Sequence, residues 1–505
     1  MRKLLAIAAC ALSILANASD TPVKIGAIQV VETSGLTAAV MKLGEISGNS
    51  MFGAMAAARI AELPSNAFFG PTRQGASVYL PVYIDLEDVA EMDDAEDLDD
   101  SLDFAVVYPV AVPKDEFLAM HPSAVETNGM IRVYGEMFAE KDEWDEDSVT
   151  YVAFSDNGKW LVASEKPGLV ALAMGDVASA ERAMGDDVVR CDILPRGMAV
   201  ARKFVKDGET SRIIEGLDSA FASLRIGDAG IDVYGAYRFV DGSELSKYGS
   251  SFLPENPFAF DDGSAVCAAA NSYNDQSDLA KLYNDALAVV ARNGLDLSSI
   301  VTCAEDGDTC RVSFDPAAFF ARFANPTNKL DQIDADKIGA EINALGTKPP
   351  SPADKTYNCA MSISGYRPRF TAAQRFAYIL PEMSGKKLCY AYSCSLCAIV
   401  QAVASACVAA IDDPSQRAAL SPFIGLLPKE NIGGVAAADW RDGDLNRYMV
   451  RISADELRSA VAGCTAVFTY AMMANMSANI KQIDEDAGED CRDDEEEDFD
   501  DDDED

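Results

Sequence analysis

The sequence predicts an α+β protein built from two related antiparallel-sheet-plus-helix units in tandem, with a disordered acidic tail at the C-terminus. Three observations predict this class. Strand–turn–strand patterns recur along the chain, helical patterns with capping residues lie between them, and Leu-Pro pairs recur at alternating long and short spacings. The predicted segments are a signal peptide at 1–18, an N-terminal helical segment at 19–62, α+β units at 63–252 and 253–482, and the tail at 483–505.

The N-terminus has the three parts of a cleavable export signal. Arg2 and Lys3 supply positive charge, an apolar run extends from Leu4 to Leu15, and Ala16-Asn17-Ala18 matches a cleavage site. We therefore expect cleavage after Ala18 and a mature bacterial protein that is periplasmic or extracellular.

Antiparallel strands are predicted where two β-rich runs flank a tight turn. Asn-Gly and Asp-Gly favour such turns because both residues adopt positive φ at low cost. Three hairpins are predicted: 149–163 around Asn157-Gly158, 300–314 around Asp306-Gly307, and 435–452 around Asp442-Gly443.

Helices are predicted where a capping residue precedes an apolar-periodic run. Thr371 with Gln374, and Ser453 with Glu456, both have the spacing of a capping box. A further helical run from Gln276 to Arg292 stops at Asn293-Gly294, as a C-terminal glycine predicts.

The Leu-Pro pairs suggest an internal duplication. The second and fourth pairs, Leu194-Pro195 and Leu380-Pro381, are separated by 186 residues. After each of these two pairs we predict a strand, a helix and then a further strand region, which an α+β repeat explains. The predicted elements are strand 198–204, helix 211–224 and strand 231–239 in the first copy, and strand 387–393, helix 394–411 and the hairpin 434–452 in the second.

Composition excludes several classes of function. The formal net charge of −40 argues against a nucleic-acid partner, which needs a basic surface. The single histidine, His121, excludes any metal site that needs two histidines. Because the two longest uncharged runs are rich in Ala and Ser, we predict no transmembrane segment. No nucleotide-binding or nucleophile-elbow motif occurs, so we predict no cofactor, no metal and no catalytic residue.

Two acidic runs indicate solvated segments. Residues 484–505 contain 17 carboxylates in 22 positions, and residues 85–103 contain 11 in 19. Such blocks repel themselves and bury too little apolar surface to fold. A cation or a basic protein is a possible partner of the tail, which gives the hypothesis of a cation-binding acidic surface protein.

The cysteines suggest one disulfide. Export implies an oxidising compartment, in which disulfides persist. Cys303 and Cys310 face each other across the Asp306-Gly307 turn, so we predict that they are bonded.

The segment around Cys394-Ser-Leu-Cys397 resembles thiol–disulfide oxidoreductases in its order of strand, CxxC and helix. The resemblance implies a redox pair in which the helix N-terminus lowers the pKa of Cys394. It covers only the motif and its flanks, and it lacks an aromatic residue immediately before the motif. A structural role for both cysteines is therefore the favoured interpretation.

The sequence thus predicts an exported bacterial protein of a non-catalytic binding or envelope-structural type. A periplasmic thiol–disulfide oxidoreductase that uses Cys394 and Cys397 is the first alternative. The cation-binding acidic surface protein is the second.

Overall fold

A computed structural model of the chain describes residues 22–61, 68–92, 101–135, 137, 148–182, 184–204, 214–243, 246, 251–272, 279–323, 334–345, 357–409, 411 and 413–466. These residues form helices and a large mixed sheet, which confirms the predicted α+β class.

The sheet contains 18 strands in the described part of the chain. The first nine are β1 Val23–Val31, β2 Ser77–Ile84, β3 Leu102–Phe104, β4 Val106–Tyr108, β5 Val125–Thr127, β6 Met130–Tyr134, β7 Val149–Phe154, β8 Leu161–Ser164 and β9 Asp187–Ile193. The others are β10 Leu217–Gly227, β11 Gly230–Phe239, β12 Ala265–Asn271, β13 Val301–Asp306, β14 Thr309–Phe314, β15 Tyr357–Ile363, β16 Leu388–Cys394, β17 Val435–Asp442 and β18 Leu445–Ser453.

The helices lie between the strands along the chain. In the first half they are α1 Thr33–Ile46, α2 Ser50–Ala61, α3 Leu86–Glu91, α4 Lys114–Met120, α5 Pro167–Met174, α6 Val177–Ala180, α7 Pro195–Ala199 and α8 Ala201–Phe204. In the second half they are α9 Leu279–Arg292, α10 Pro316–Phe323, α11 Ala335–Asn343, α12 Ala372–Ile379, α13 Leu396–Ala409, α14 Pro414–Leu426 and α15 at 454–466. Among the described residues, no helix combines the length and apolar character needed to span a membrane.

The strands pair into one continuous sheet. From one end, the neighbours are β5, β6, β7, β8, β4, β2, β1, β9, β10, β11, β18, β17, β16, β12, β15, β14 and β13. The short strand β3 also pairs with β2. The β14–β15 pair is parallel, and every other pair is antiparallel. Hairpin turns favour antiparallel neighbours because they reverse the chain within a few residues.

The predicted hairpins and one of the two predicted capping boxes are confirmed. The pairs β7–β8, β13–β14 and β17–β18 are antiparallel hairpins at the predicted turns. Thr371 accepts the Gln374 backbone N–H, and the Gln374 side chain accepts the Thr371 backbone N–H, which together cap α12. These signals are local, so the chain encodes them without tertiary help.

Three predicted segments have another structure. Residues 23–31 of the expected helical segment form β1, whose alternating burial and β-branched residues suit a strand. Residues 198–204 were expected to be a strand but form parts of α7 and α8, because Pro195 occupies the first helical position. Residues 217–224 were expected to be helical but belong to β10, which pairs with both β9 and β11.

The Leu-Pro pairs therefore do not mark equivalent positions in the two halves. Leu194-Pro195 opens helix α7 after strand β9. Leu380-Pro381 instead follows helix α12 and precedes strand β16. Proline stops helices as readily as it starts them, so the same dipeptide occurs in different contexts.

The core of the second half lies between α12 and the sheet. Phe376 and Ile379 of α12 pack against small and apolar side chains of the central strands, such as Ala268, Ala436 and Met449. Alanines dominate this sheet face, which lets the helix approach closely.

A buried ion pair joins the two halves of the sheet where β11 meets β18. Arg451 on β18 is bonded to both carboxylate oxygens of Asp232 on β11, at 2.5 and 2.9 Å. Asp232 is 5% exposed and Arg451 is 8% exposed. Arg225 on β10 adds a second guanidinium, 3.1 Å from Asp232. The pairing of β11 with β18 thus carries a charged contact that specifies its register.

Candidate functional site

The sheet face opposite α12 carries a group of tyrosines around one carboxylate. We call this surface the tyrosine face, and we define it by Tyr237 on β11, Tyr390 and Tyr392 on β16, Asp439 on β17 and Tyr448 on β18. Asp439 lies directly between Tyr390 and Tyr448 in the strand register. Directly paired residues of antiparallel strands share a face, so these side chains are neighbours. All five residues are half-buried among the described residues.

Asp439 has an unusual environment for a carboxylate. The Tyr237 hydroxyl donates to Asp439 Oδ2 at 3.3 Å. Desolvation nonetheless outweighs this hydrogen bond and raises the pKa of Asp439 to about 6. The group therefore changes its charge near neutral pH, where an ordinary aspartate does not.

Tyr448 owes its position to a glycine. Its ring lies over Gly235 on β11, and its hydroxyl donates to the Phe221 carbonyl at 3.4 Å. A Cβ at position 235 would lie 2.0 Å from the Phe221 carbonyl oxygen and 2.8 Å from the Tyr448 hydroxyl oxygen, so a larger residue would disturb both the neighbouring strand and the ring. The Tyr237 and Tyr448 rings stack with centroids 6.3 Å apart. Desolvation and, secondly, the charge of Asp439 raise the pKa of Tyr448 to about 12, so its phenol stays a donor.

Asn446 leaves a buried hydrogen-bond donor without a partner. It lies on β18 directly opposite Tyr237 and is 1% exposed. Its Oδ1 accepts a hydrogen bond from Arg441 at 3.4 Å, whereas its Nδ2 has no partner among the described residues. An unpaired buried donor costs about 1–3 kcal/mol, so such a group needs a reason.

These groups can form hydrogen bonds and ring contacts with a ligand. The face offers a carboxylate acceptor, an amide donor, phenol hydroxyls and aromatic ring surface. Asp439 is the one carboxylate that the register places among these tyrosines in the described part of the sheet.

The structure does not bring Cys394 and Cys397 together as a redox pair. Cys394 is the last residue of β16 and is disulfide-bonded to Cys267 on β12, with Cα atoms 4.1 Å apart. The two residues face each other directly in the β12–β16 register. Cys397 is a buried free thiol at the second residue of α13.

The environment of Cys397 also opposes a reactive thiolate. Glu456 on α15 accepts the Cys397 backbone N–H at 2.7 Å, so a buried carboxylate occupies the start of α13. Desolvation and the charge of Glu456 raise the pKa of the Cys397 thiol. The predicted lowering concerned Cys394, which has no free thiol here, and the thiol of Cys397 is shifted the other way because a carboxylate occupies the start of the helix.

Arg375 is buried beside this carboxylate. The side chain is 0% exposed, and it donates to the carbonyls of Phe370, Ala265 and Val266 at 2.5, 2.9 and 3.2 Å. Burial lowers its pKa, while nearby carboxylates, Glu456 among them, oppose that shift. Arg375 ties α12 to β12, and we assign it a structural role.

Cys303 and Cys310, for which a disulfide was predicted, are in contact as two free thiols, with sulfur atoms 3.1 Å apart. They are diagonal neighbours, since Cys310 pairs with Glu305 and Cys303 pairs with Val312. A third cysteine, Cys359 on β15, lies directly beside Cys310. The sequence did not reveal this neighbour, because β14 and β15 are joined by a long connection.

The remaining predicted features are placed as follows. The acidic tail at 483–505 and residues 93–100 of the second acidic run lie outside the described residues. His121 ends α4 as a buried side chain bonded to the Phe68 carbonyl at 2.8 Å. Among the described residues, no group of three or more His, Cys, Asp or Glu is arranged to hold a metal ion.

Sequence reasoning missed the tyrosine face. The alternation Tyr390-Ala391-Tyr392 on β16 was a usable signal, because alternate strand residues share a face.

Comparison of the chain with known protein families, curated proteins and solved structures finds no match.

Proposed function

We propose that this is an exported, non-catalytic bacterial binding protein whose tyrosine face binds a neutral polyhydroxylated ligand, of the carbohydrate class. Export follows from the N-terminal signal pattern. The ligand class follows from the groups on the face. The single observation that carries the proposal is the position of Asp439, a carboxylate whose pKa is raised to about 6, among four tyrosines on one face of the sheet.

A hydroxyl-bearing ring fits the hydrogen-bonding groups. Each sugar hydroxyl both donates and accepts, so one can donate to Asp439 while a neighbour accepts from a tyrosine hydroxyl. Tyrosine rings supply flat apolar surface for the C–H face of a sugar, and their hydroxyls add further donors.

The charges favour a neutral ligand. Arg441 lies two residues from Asp439 on the same face of β17, where it donates to Gly443 O at 2.8 Å and to Asn446. Arg441 and Asp439 carry opposite charges, so together they add no net charge to this face. Neither a cationic nor an anionic ligand would therefore gain much net attraction.

The test is a screen of the mature protein against neutral, sialylated and sulfated glycans, followed by calorimetric titration of the strongest binder. We expect a neutral glycan to bind. Asp439→Asn should weaken it about ten- to a hundredfold, because a charged acceptor is lost. Affinity should fall as the pH drops below about 6, since protonation of Asp439 removes its negative charge and turns one acceptor oxygen into a donor.

Asp444→Asn is the matched control. Asp444 lies on the adjacent β17–β18 turn, is 73% exposed and pairs with Arg238 at 2.9 Å. Its variant should bind like the wild type. Absence of any glycan binding, or equal binding by Asp439→Asn, would overturn the proposal.

We also propose that the two halves arose by tandem duplication. In its support, the neighbour order β1, β9, β10, β11 resembles the order β12, β16, β17, β18. In each half, the second strand of that order is followed by a helix and a hairpin. The first copy would then begin at β1 rather than at residue 63. An experimental structure with different strand orders in the halves would refute the duplication.

A further inference from the structure

A cluster of three cysteines lies near the end of the sheet formed by β13, β14 and β15. We call Cys303, Cys310 and Cys359 the thiol cluster. Cys310 is 4% exposed, whereas Cys303 and Cys359 are half-buried. All three pack together with Val301 and Val312.

Cys310 stands between two sulfur neighbours. Its Sγ is 3.1 Å from Cys303 Sγ across the hairpin. On the other side, Cys310 is the direct register partner of Cys359 in the parallel β14–β15 pair, and the two thiols are hydrogen-bonded. Neighbouring strands lie about 4.8 Å apart, which is within the Cα range of a disulfide.

We propose that the thiol cluster is a thiol–disulfide exchange site in which Cys310 can bond either Cys303 or Cys359. One sulfur cannot hold both bonds, so the oxidised cluster contains one disulfide and one free thiol. The Cys267–Cys394 disulfide differs, because it joins two cysteines that are directly paired in the sheet.

The chemistry balances in two steps. A disulfide-bearing oxidant, such as oxidised glutathione, takes two electrons and two protons from Cys303 and Cys310 and leaves as two thiols. Cys359 then loses its proton and attacks Cys310 Sγ, the Cys303–Cys310 bond breaks, and the Cys303 sulfur takes up a proton. The second step involves no net oxidation.

In the reduced cluster, the hydrogen bond between the thiols of Cys310 and Cys359 favours ionisation of Cys359. Donation from Cys310 lowers the pKa of the Cys359 thiol, although burial opposes the shift. The same contact, together with burial, raises the pKa of Cys310. The thiolate is the reactive form, and in the reduced cluster this contact favours it at Cys359.

The test is disulfide mapping by mass spectrometry of the full-length mature protein, after equilibration in a glutathione redox buffer and acid trapping. We expect the wild type to yield both Cys303–Cys310 and Cys310–Cys359 linked peptides. Cys303→Ser should yield only the second linkage, and Cys359→Ser only the first. Cys310→Ser should yield neither.

Cys191→Ser is the control, because Cys191 is a half-buried thiol on β9, remote from the cluster in strand order. It should leave the ratio of the two linkages unchanged. A wild type with a single linkage, or with three free thiols, would overturn the proposal. The wild-type map decides the question even if a serine variant fails to fold.

Discussion

At the residue scale, Asp439 shows how a group suited to binding reduces stability. Its folded-state pKa of about 6 lies above the ordinary value of 3.8. Between these two values the folded protein holds a proton that the unfolded chain releases. Stability from this group is therefore greatest at low pH and falls as the pH rises through about 4 to 6.

Asp439→Asn should consequently stabilise the protein at pH 8, by about 1–2 kcal/mol after a discount for the partial exposure of the side chain. Thermal unfolding of both proteins at pH 4 and pH 8 measures this effect. The two midpoints should converge at pH 4, where the aspartate is protonated in the folded state. A destabilised variant at pH 8 would show that the carboxylate has a stabilising partner.

At the element scale, a carboxylate from another helix accepts a hydrogen bond from the first turn of helix α13. Glu456 was expected to complete a capping box with Ser453 on its own helix. Ser453 Oγ does accept the Glu456 backbone N–H at 3.2 Å, but the Glu456 carboxylate turns to the Cys397 N–H. The first turn of α13 is thus stabilised by α15, which couples the two helices.

Glu456→Ala should lower the free energy of unfolding by about 2–3 kcal/mol, because it removes a charge-assisted hydrogen bond and leaves a buried N–H unpaired. Glu456→Gln keeps an acceptor and should cost less. Chemical denaturation measures both values. Glu255→Ala, at an exposed position, is the control and should change little. Equal losses for alanine and glutamine would contradict the capping role.

At the scale of the whole molecule, the pairing of β11 with β18 makes one sheet out of two halves. The Asp232–Arg451 contact lies at this junction, and Arg451 also reaches the Ile379 carbonyl at 2.9 Å. The contact therefore connects the first half, the second half and helix α12.

Asp232→Ala should destabilise the protein by about 3–5 kcal/mol, since it leaves the buried Arg451 without its main partner. Asp444→Ala breaks an exposed pair with Arg238 between the same two hairpins, and it should cost no more than about 1 kcal/mol. Denaturant unfolding compares them. Similar losses of unfolding free energy for both variants would mean that the buried Asp232–Arg451 pair stabilises the junction no more than the exposed pair does.

The sequence by itself determined the fold class, the hairpins and the start of α12. These features depend on turn and cap residues that act within a few positions. Asn157-Gly158 and Thr371 with Gln374 therefore predicted their elements correctly. The export signal is local in the same way and stays a prediction.

Only the tertiary structure decided which side chains meet. Cys267 and Cys394 are separated by 127 residues and become partners through the β12–β16 register. Cys359 joins Cys310 through a parallel pair that no turn connects, and Asp439 meets Tyr237 through a contact that crosses both halves. Such side-chain contacts depend on strand order and register, which are set when whole faces of the sheet are buried against helices. No local pattern encodes them, since a shift of one residue would turn every side chain of a strand to the other face.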